Sequence, residues 1–232
     1  MSEKPVCVVV GVGPGLGEAL ARAFAGAGWR VALMARTPSK VEALAQELGG
    51  IGVACDVMDT DAITAAFAAV KAQLGPVHTL VWNVGSGVFG DLDKVGVDAM
   101  NLAWGTNALG LFVAAQAVVA DMRAAGEGNI FVTGATASRR GKPFTTAFAA
   151  GKAAQRSLCQ SLARQLGPEG IHVALTIIDG MVLPADPARR GARPEADFIA
   201  PADAAQTVLY LSTQPRSAWT FELEVRPHGE SW

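Results

Sequence analysis

Short runs rich in Val, Ile and Leu recur along the chain, at Val6 to Val10, Arg30 to Ala35, Ile51 to Cys55, Val77 to Trp82, Asn129 to Thr133 and Ile171 to Ile178. Strands that are apolar nearly throughout, instead of at every second position, are buried on both faces, and helices must supply the covers. Longer segments of helical period lie between these runs, and SAWTFELEVRP near the end reads as a further strand. The pattern predicts a doubly wound parallel sheet of about seven strands, a three-layer α/β/α fold, in one domain spanning 1–232. Leu16, Leu20 and Phe24 hold one face of the first helix, and Ile63, Phe67, Val70 and Leu74 one face of the third. Both stripes should pack on the sheet.

Two segments are apolar on more than one face. In Leu102 to Met122, Trp104, Ala108, Leu111, Ala115, Val118 and Met122 share one side, and Phe112 and Val119 lie on another. In Phe144 to Leu166, Leu158, Leu162 and Leu166 form a stripe, while Ala149, Ala150, Gly151, Ala153 and Ala154 admit a close neighbour. A helix apolar on two faces has two partners, and a homodimer or homotetramer through 102–122 and 145–166 is the expectation, against a thick single-chain core. Asp179 to Pro201 is the one long irregular segment, expected to be a lid over a substrate.

The first strand runs into VGVGPGLGEAL, with Gly11, Gly13, Gly15 and Gly17 in the turn and Leu16 opening the helix. Glycines there let a dinucleotide pyrophosphate approach the helix N-terminus, whose unpaired N–H groups and dipole favour an anion. A bland packing turn is the alternative. Charge decides between the two nicotinamide dinucleotides: a carboxylate about 20 residues on accepts the 2′-hydroxyl of NAD, whereas arginine suits the 2′-phosphate of NADP. The residue nineteen past Gly17 is Arg36, and no acid lies between Glu18 and Glu42. NADP(H) is therefore favoured over NAD(H). In CDV, Asp56 stands at a strand end where it could accept from an adenine amino group; Asp59 is the better helix-capping acid.

Composition narrows the class further. Nineteen basic residues against 21 acidic give no excess of cations for a phosphate backbone, which argues against nucleic acid as a partner. Cys7, Cys55 and Cys159 are far apart in apolar sequence and read as buried thiols in a reducing compartment. His78, His172 and His228 lack ligand spacing, so no metal is expected. The start MSEKPVCVVV reaches a strand without a leader pattern, and the apolar run Ala108 to Ala120 is too short to cross a bilayer. A soluble cytoplasmic protein acting on a small molecule, with no membrane partner, is the expectation.

Taken together and in order, GVGPGLG, CDV, NVG (Asn83, Val84, Gly85) and FAAGK resemble the short-chain dehydrogenase/reductase family in its compact one-domain form, over nearly the whole chain. The resemblance implies a Rossmann fold and a cofactor held by the glycine loop, by Arg36, by Asp56 and Val57, by the NVG turn, and by Lys152 and Gly180. It also implies four catalytic groups: a tyrosine acid/base, a lysine that holds the nicotinamide ribose, a serine that orients the substrate carbonyl, and an asparagine that helps hold a proton-relay water. Asn107 and Lys152 match two of these. The tyrosine position is Phe148 and the serine position is Ala135; the single tyrosine, Tyr210, lies in a predicted C-terminal helix. The family's Pro-Gly turn after the sixth strand reads Asp179-Gly180.

A positioned acid contributes roughly 10²- to 10⁴-fold to carbonyl reduction, and Phe148 cannot donate. One reading is an NADP(H) oxidoreductase with an atypical site, acting on a small carbonyl or an activated C=C bond. Its proton or charge stabilisation would then come from Thr136, Ser138, Thr145 or Thr146, from a water on Asn107 and Lys152, or from Arg139, Arg140 and Lys142. The other is a non-catalytic NADP(H)-binding sensor or partner subunit. Arg189, Arg190 and Arg193 in the lid could attract an anionic substrate, although Asp186, Glu195 and Asp197 offset them.

Overall fold

The computed structural model describes residues 4–37 and 39–229. The absence of a leader was expected of a start whose residues 1–3 lie outside the described part.

The chain runs β1 (Val6–Val10), α1 (Leu16–Gly26), β2 (Arg30–Ala35), α2 (Ser39–Glu47), β3 (Ile51–Ala54), α3 (Thr60–Leu74), β4 (Val77–Trp82), α4 (Val97–Trp104), α5 (Gly110–Ala125), β5 (Gly128–Ala135), α6 (Thr146–Leu166), β6 (Ile171–Ile178), β7 (Met181–Val182), β8 (Phe198–Ile199), α7 (Pro201–Leu211) and β9 (Glu222–Val225). Seven strands form one parallel sheet in the order β3-β2-β1-β4-β5-β6-β9. Strand order reverses between β1 and β4, and in such sheets the crevice beyond the strand ends at that point is where ligands bind.

Every residue of β1 is buried, and alternate side chains serve the two faces. Val6, Val8 and Val10 join the layer of α3 and α5, with Ile63, Phe67, Leu111 and Val118. Cys7 and Val9 join that of α1 and α7, with Leu20, Phe24, Ala205 and Val208. Complete burial of one such large apolar side chain contributes about 1.5–3 kcal/mol, so the stripes read from the sequence are what hold the helices down. Asp59 starts α3, accepting from the N–H groups of Asp61 and Ala62 at 2.9 and 3.0 Å.

Four expectations are corrected. First, the apolar helix is longer: α4, a π-helical turn over Gly105–Leu109 and α5 form one rod of 29 residues, Val97–Ala125, with an 18-residue window of mean hydropathy 1.5. It is long and apolar enough to cross a membrane by length and composition, yet 56% of that window is buried, against the sheet and neighbouring helices. Secondly, Trp104 does not share the buried side; it is 52% exposed while Ala108, Leu111, Ala115, Val118 and Met122 are buried. A π turn takes up an extra residue, which slips the helical phase by about 100° between Trp104 and α5.

Thirdly, one of the small residues of α6, Gly151, meets a neighbour within the chain, while Ala150 and Ala153 are exposed. A Cβ on Gly151 would lie 2.5 Å from the Ala103 carbonyl oxygen, so glycine is what lets α6 lie against α4. Fourthly, 179–201 is not irregular throughout: β7 and β8 pair in parallel, and Asp186 caps a short 3₁₀ turn through the Ala188 N–H. Strand limits also move. β3 ends at Ala54, and β5 continues to Ala135 because β6 pairs with it that far.

Candidate functional site

The crevice at the switch point has two halves. The first, about 380 Å³, lies over the ends of β1, β2 and β3 and is lined by Gly11, Gly13, Arg36, Asp56 and Val57 together with the 83–85 turn. Its glycines are there for different reasons. Gly11 has φ +85°, and a Cβ would sit 2.6 Å from the Asn83 carbonyl oxygen; Gly17 is buried, with the Gly11 carbonyl oxygen 2.6 Å from its virtual Cβ. Those two let the turn and α1 pack on β4. Gly15, at φ +108°, opens α1 in a backbone conformation that L side chains rarely adopt. Gly13 is different, because a Cβ there would meet nothing within 4 Å. No packing within the protein requires that glycine, and the space above it beside the N-terminus of α1 fits a group brought by a ligand.

Arg36 is exposed at the rim, and no carboxylate pairs with it among the described residues. Asp56 Oδ1 accepts from the Met58 N–H at 3.0 Å, and the residue lines the same cavity. Asn83 is a strut: its Nδ2 donates to the Gly11 carbonyl at 3.1 Å and its Oδ1 accepts from Thr133 Oγ1 at 3.0 Å.

The second half, about 860 Å³, is lined by Leu16, the 83–87 turn, Ala135, Thr136, Phe148, Lys152 and the Asp179–Gly180 turn. Phe148 and Ala135 thus stand in the same pocket as Lys152. The Phe148 ring leans on Phe89 with centroids 5.0 Å apart, an apolar wall where the resemblance implies a phenol.

Lys152 is 4% exposed, and burial lowers its pKa from 10.5 to about 8. Its Nζ donates to the carbonyls of Val84 (3.3 Å) and Thr133 (2.9 Å) and to Gln155 Oε1 (3.1 Å). The resemblance implies that this lysine forks onto ribose hydroxyls; as the side chain stands, its three N–H groups point at protein acceptors. Asn107 sits in the π turn, fully buried, and its Nδ2 donates to the Ala103 carbonyl at 2.8 Å and to Ser86 Oγ at 3.2 Å. Its Oδ1 is buried with no partner. A Cβ on Gly85 would lie 3.6 Å from Lys152 Nζ and 3.9 Å from that oxygen, so Gly85 opens space beside both polar groups. An orphaned acceptor beside an ammonium and a missing side chain fit a hydroxyl-bearing ligand.

The hydroxyls proposed as substitutes for the tyrosine are engaged. Thr136 Oγ1 donates to Asp179 Oδ1, Ser138 to the Ala135 carbonyl (2.7 Å), Thr145 to the Lys142 carbonyl (3.0 Å) and Thr146, at 3.5 Å, to that of Pro143. Arg139 is also removed from candidacy as an oxyanion stabiliser, because it pairs with Glu222 and Glu224 on β9. Arg140 and Lys142 remain in the pocket lining, without a carboxylate partner among the described residues. In the 179–201 segment Arg190 pairs with Glu195 at 3.1 Å and Arg193 donates to Met181 Sδ; neither is directed into this pocket. Tyr210 is exposed on α7 and lines neither half of the crevice.

Two features of the site were not read from the sequence. Asp179, 7% exposed, accepts from Thr136 and from Arg226 Nη2 (2.6 Å), which closes a polar corner where the family turn carries proline. Gln155, fully buried, links Lys152 to the Asn107 backbone carbonyl. Gln155 did leave a signal: it falls four residues after Gly151 and four before Cys159, on the buried stripe of α6, where a polar side chain needs a partner.

Comparison with known proteins agrees with this geometry. The family described as short chain dehydrogenase matches residues 5–186. A Xanthobacter autotrophicus protein described as an inactive 2-(S)-hydroxypropyl-CoM dehydrogenase 2 is 32% identical over 209 residues, covering 83% of this chain and 90% of its own. A short-chain dehydrogenase structure from Rhodopseudomonas palustris is 33% identical with TM-score 0.83, covering 98% of this chain and all of its own. A metagenomic short-chain oxidoreductase solved with NADP is 29% identical with TM-score 0.84, covering 98% of this chain and 99% of its own. With its seven-stranded parallel sheet, its glycine turn at the strand-order reversal and this match over most of its length, the chain belongs to the short-chain dehydrogenase/reductase family of oxidoreductases.

Proposed function

We propose that the chain is an NADP(H)-dependent oxidoreductase whose hydride step works without a phenol, on a small carbonyl compound or an activated C=C bond. The observation that carries cofactor binding is Gly13, a glycine that no contact within the protein requires, beside the N-terminus of α1. Arg36 at the rim supports the 2′-phosphate, and a solved relative holds NADP. The nicotinamide ring supplies the hydride when bound. The chain's own residues would hold and shield it: Lys152 would supply positive charge to the site, Phe89 and Phe148 would form its apolar wall, and Arg140 and Lys142 would stabilise a developing oxyanion or enolate from the pocket lining.

A second reading has its own support. Each of the four hydroxyls considered donates to a protein acceptor, and the Xanthobacter relative is described as inactive. In this reading NADP(H) binds without turnover, as in a sensor or partner subunit.

NADPH titration by fluorescence tests binding; Gly13→Val should abolish it and leave the thermal midpoint unchanged. A wild-type protein with no NADPH affinity sinks both readings. Oxidation of NADPH across a panel of carbonyls and enoyl thioesters then separates them, since the oxidoreductase reading requires turnover of at least one.

The remaining assignments belong to the same reading: one domain, a lid at 179–201, a cytoplasmic setting supported by three buried free thiols, and a homodimer or homotetramer. Met100, Trp104 and Phe112 are each at least 39% exposed on the long rod, apolar surface suited to a second copy. Light scattering reads the assembly; a monomer at tens of micromolar would remove it.

A further inference from the structure

Lys152 and Gln155 lie one turn apart on α6, on the face packed against the π turn that carries Asn107. Both side chains are buried. An ammonium has three N–H donors and no acceptor, and Val84, Thr133 and Gln155 account for all three. Gln155 Nε2 in turn donates to the Asn107 backbone carbonyl at 3.2 Å. The sense of this amide is fixed by its neighbours, because the flipped form would set an NH₂ against an ammonium and a carbonyl against a carbonyl.

The bridge fills a position that would otherwise suit water. A water between Lys152 Nζ and the Asn107 carbonyl would have at least two polar partners, which is enough to hold it in a buried site. A carboxamide makes the same two contacts, but it neither takes nor releases a proton at ordinary pH. It therefore breaks any chain of exchangeable protons behind the lysine.

We propose that Gln155 is a positioning residue that turns the Lys152 ammonium inward and keeps water out of the space between it and the Asn107 carbonyl, so that Lys152 acts on a bound cofactor as a fixed charge and not as a proton carrier. The cofactor clause rests on the NADP(H) reading above; the contact itself does not. The loss of the front hydroxyls, at Phe148 and Ala135, is thus matched by a closed rear.

The test is nitrogen-15 NMR of the lysine ammonium in the full-length protein, with the Lys152 signal assigned by its loss in Lys152→Met. In Gln155→Ala a water replaces the amide, and the Nζ hydrogens should exchange with solvent at least about tenfold faster than in the wild type. In Gln155→Glu a carboxylate faces the ammonium, and the Lys152 titration should rise by about one unit or more from its wild-type value. An unchanged exchange rate in the first variant, or an unmoved titration in the second, overturns the assignment. Should Gln155→Ala fail to fold, Gln155→Glu decides alone. NADPH titration is run on the same samples: absence of binding removes the cofactor reading and leaves the Gln155 measurement standing.

Discussion

The two halves of the crevice have diverged to different degrees. Over β1, β2 and β3, glycines, Arg36 and Asp56 line one cavity, with an open space at Gly13, as the proposed dinucleotide site requires. Over β5 and β6 the same fold holds the phenyl ring of Phe148, the methyl group of Ala135, a part-buried Asp179–Arg226 pair and the Gln155 amide bridge. The two halves draw on different strands and share only the 83–87 turn, so one can be rebuilt without disturbing the other. On the proposed reading, holding the cofactor and moving a proton are tasks of different halves.

The strongest way to break this contrast is to restore the second half. Phe148→Tyr with Ala135→Ser and Gln155→Ala should raise turnover of a carbonyl panel by about 10²- to 10⁴-fold, the usual contribution of a positioned acid. Phe148→Tyr with Ala135→Ser alone should gain less than about tenfold. A full gain without the Gln155 change would show that the rear of the site is not closed. The first half is tested at its charge: Arg36→Ala should weaken NADPH binding by about 10- to 100-fold, the loss of a charge-assisted contact worth roughly 1.5–3 kcal/mol, while NADH affinity and thermal midpoint hold. Equal losses for both dinucleotides would move the specificity elsewhere.

Gly151→Ala probes the packing on which the second half stands. Its methyl would meet the Ala103 carbonyl, so urea unfolding should show a loss of about 1–3 kcal/mol. A further prediction concerns pH. Burial lowers the Lys152 pKa from 10.5 to about 8, so between these values the unfolded chain holds more protons than the folded one. The penalty of the buried charge is fully present below pH 8 and fades as pH rises towards 10.5. Relative to Lys152→Met, wild-type stability should therefore climb through that window; a flat difference would mean that the ammonium is not confined.

Local signals made the fold and the first half readable. The apolar runs that became β1, β2, β4 and β6, the glycine turn and the Asp59 cap depend on neighbours in sequence, and the structure keeps them. The rest depends on distant partners or on a change of phase. Arg226 meets Asp179 across 47 residues, and Arg139 meets Glu222 across 83, spacings with no period to betray them. Trp104 was misplaced because an ideal helical period does not contain a π turn. The absence of the tyrosine was plain in the chain; that the hydroxyls of Thr136, Ser138, Thr145 and Thr146 are engaged appears only once their acceptors are in place.

The segment between β6 and α7 is an arch fastened at both feet. Asp179 takes part in a backbone bond to Val225 and the pair with Arg226 at one foot, and β7 is laced to β8 beside the other. The crown, 184–197, is largely exposed and built of two short 3₁₀ turns, and limited proteolysis should nick there first. A cut there would leave two clamped stumps and a crevice whose floor has not moved.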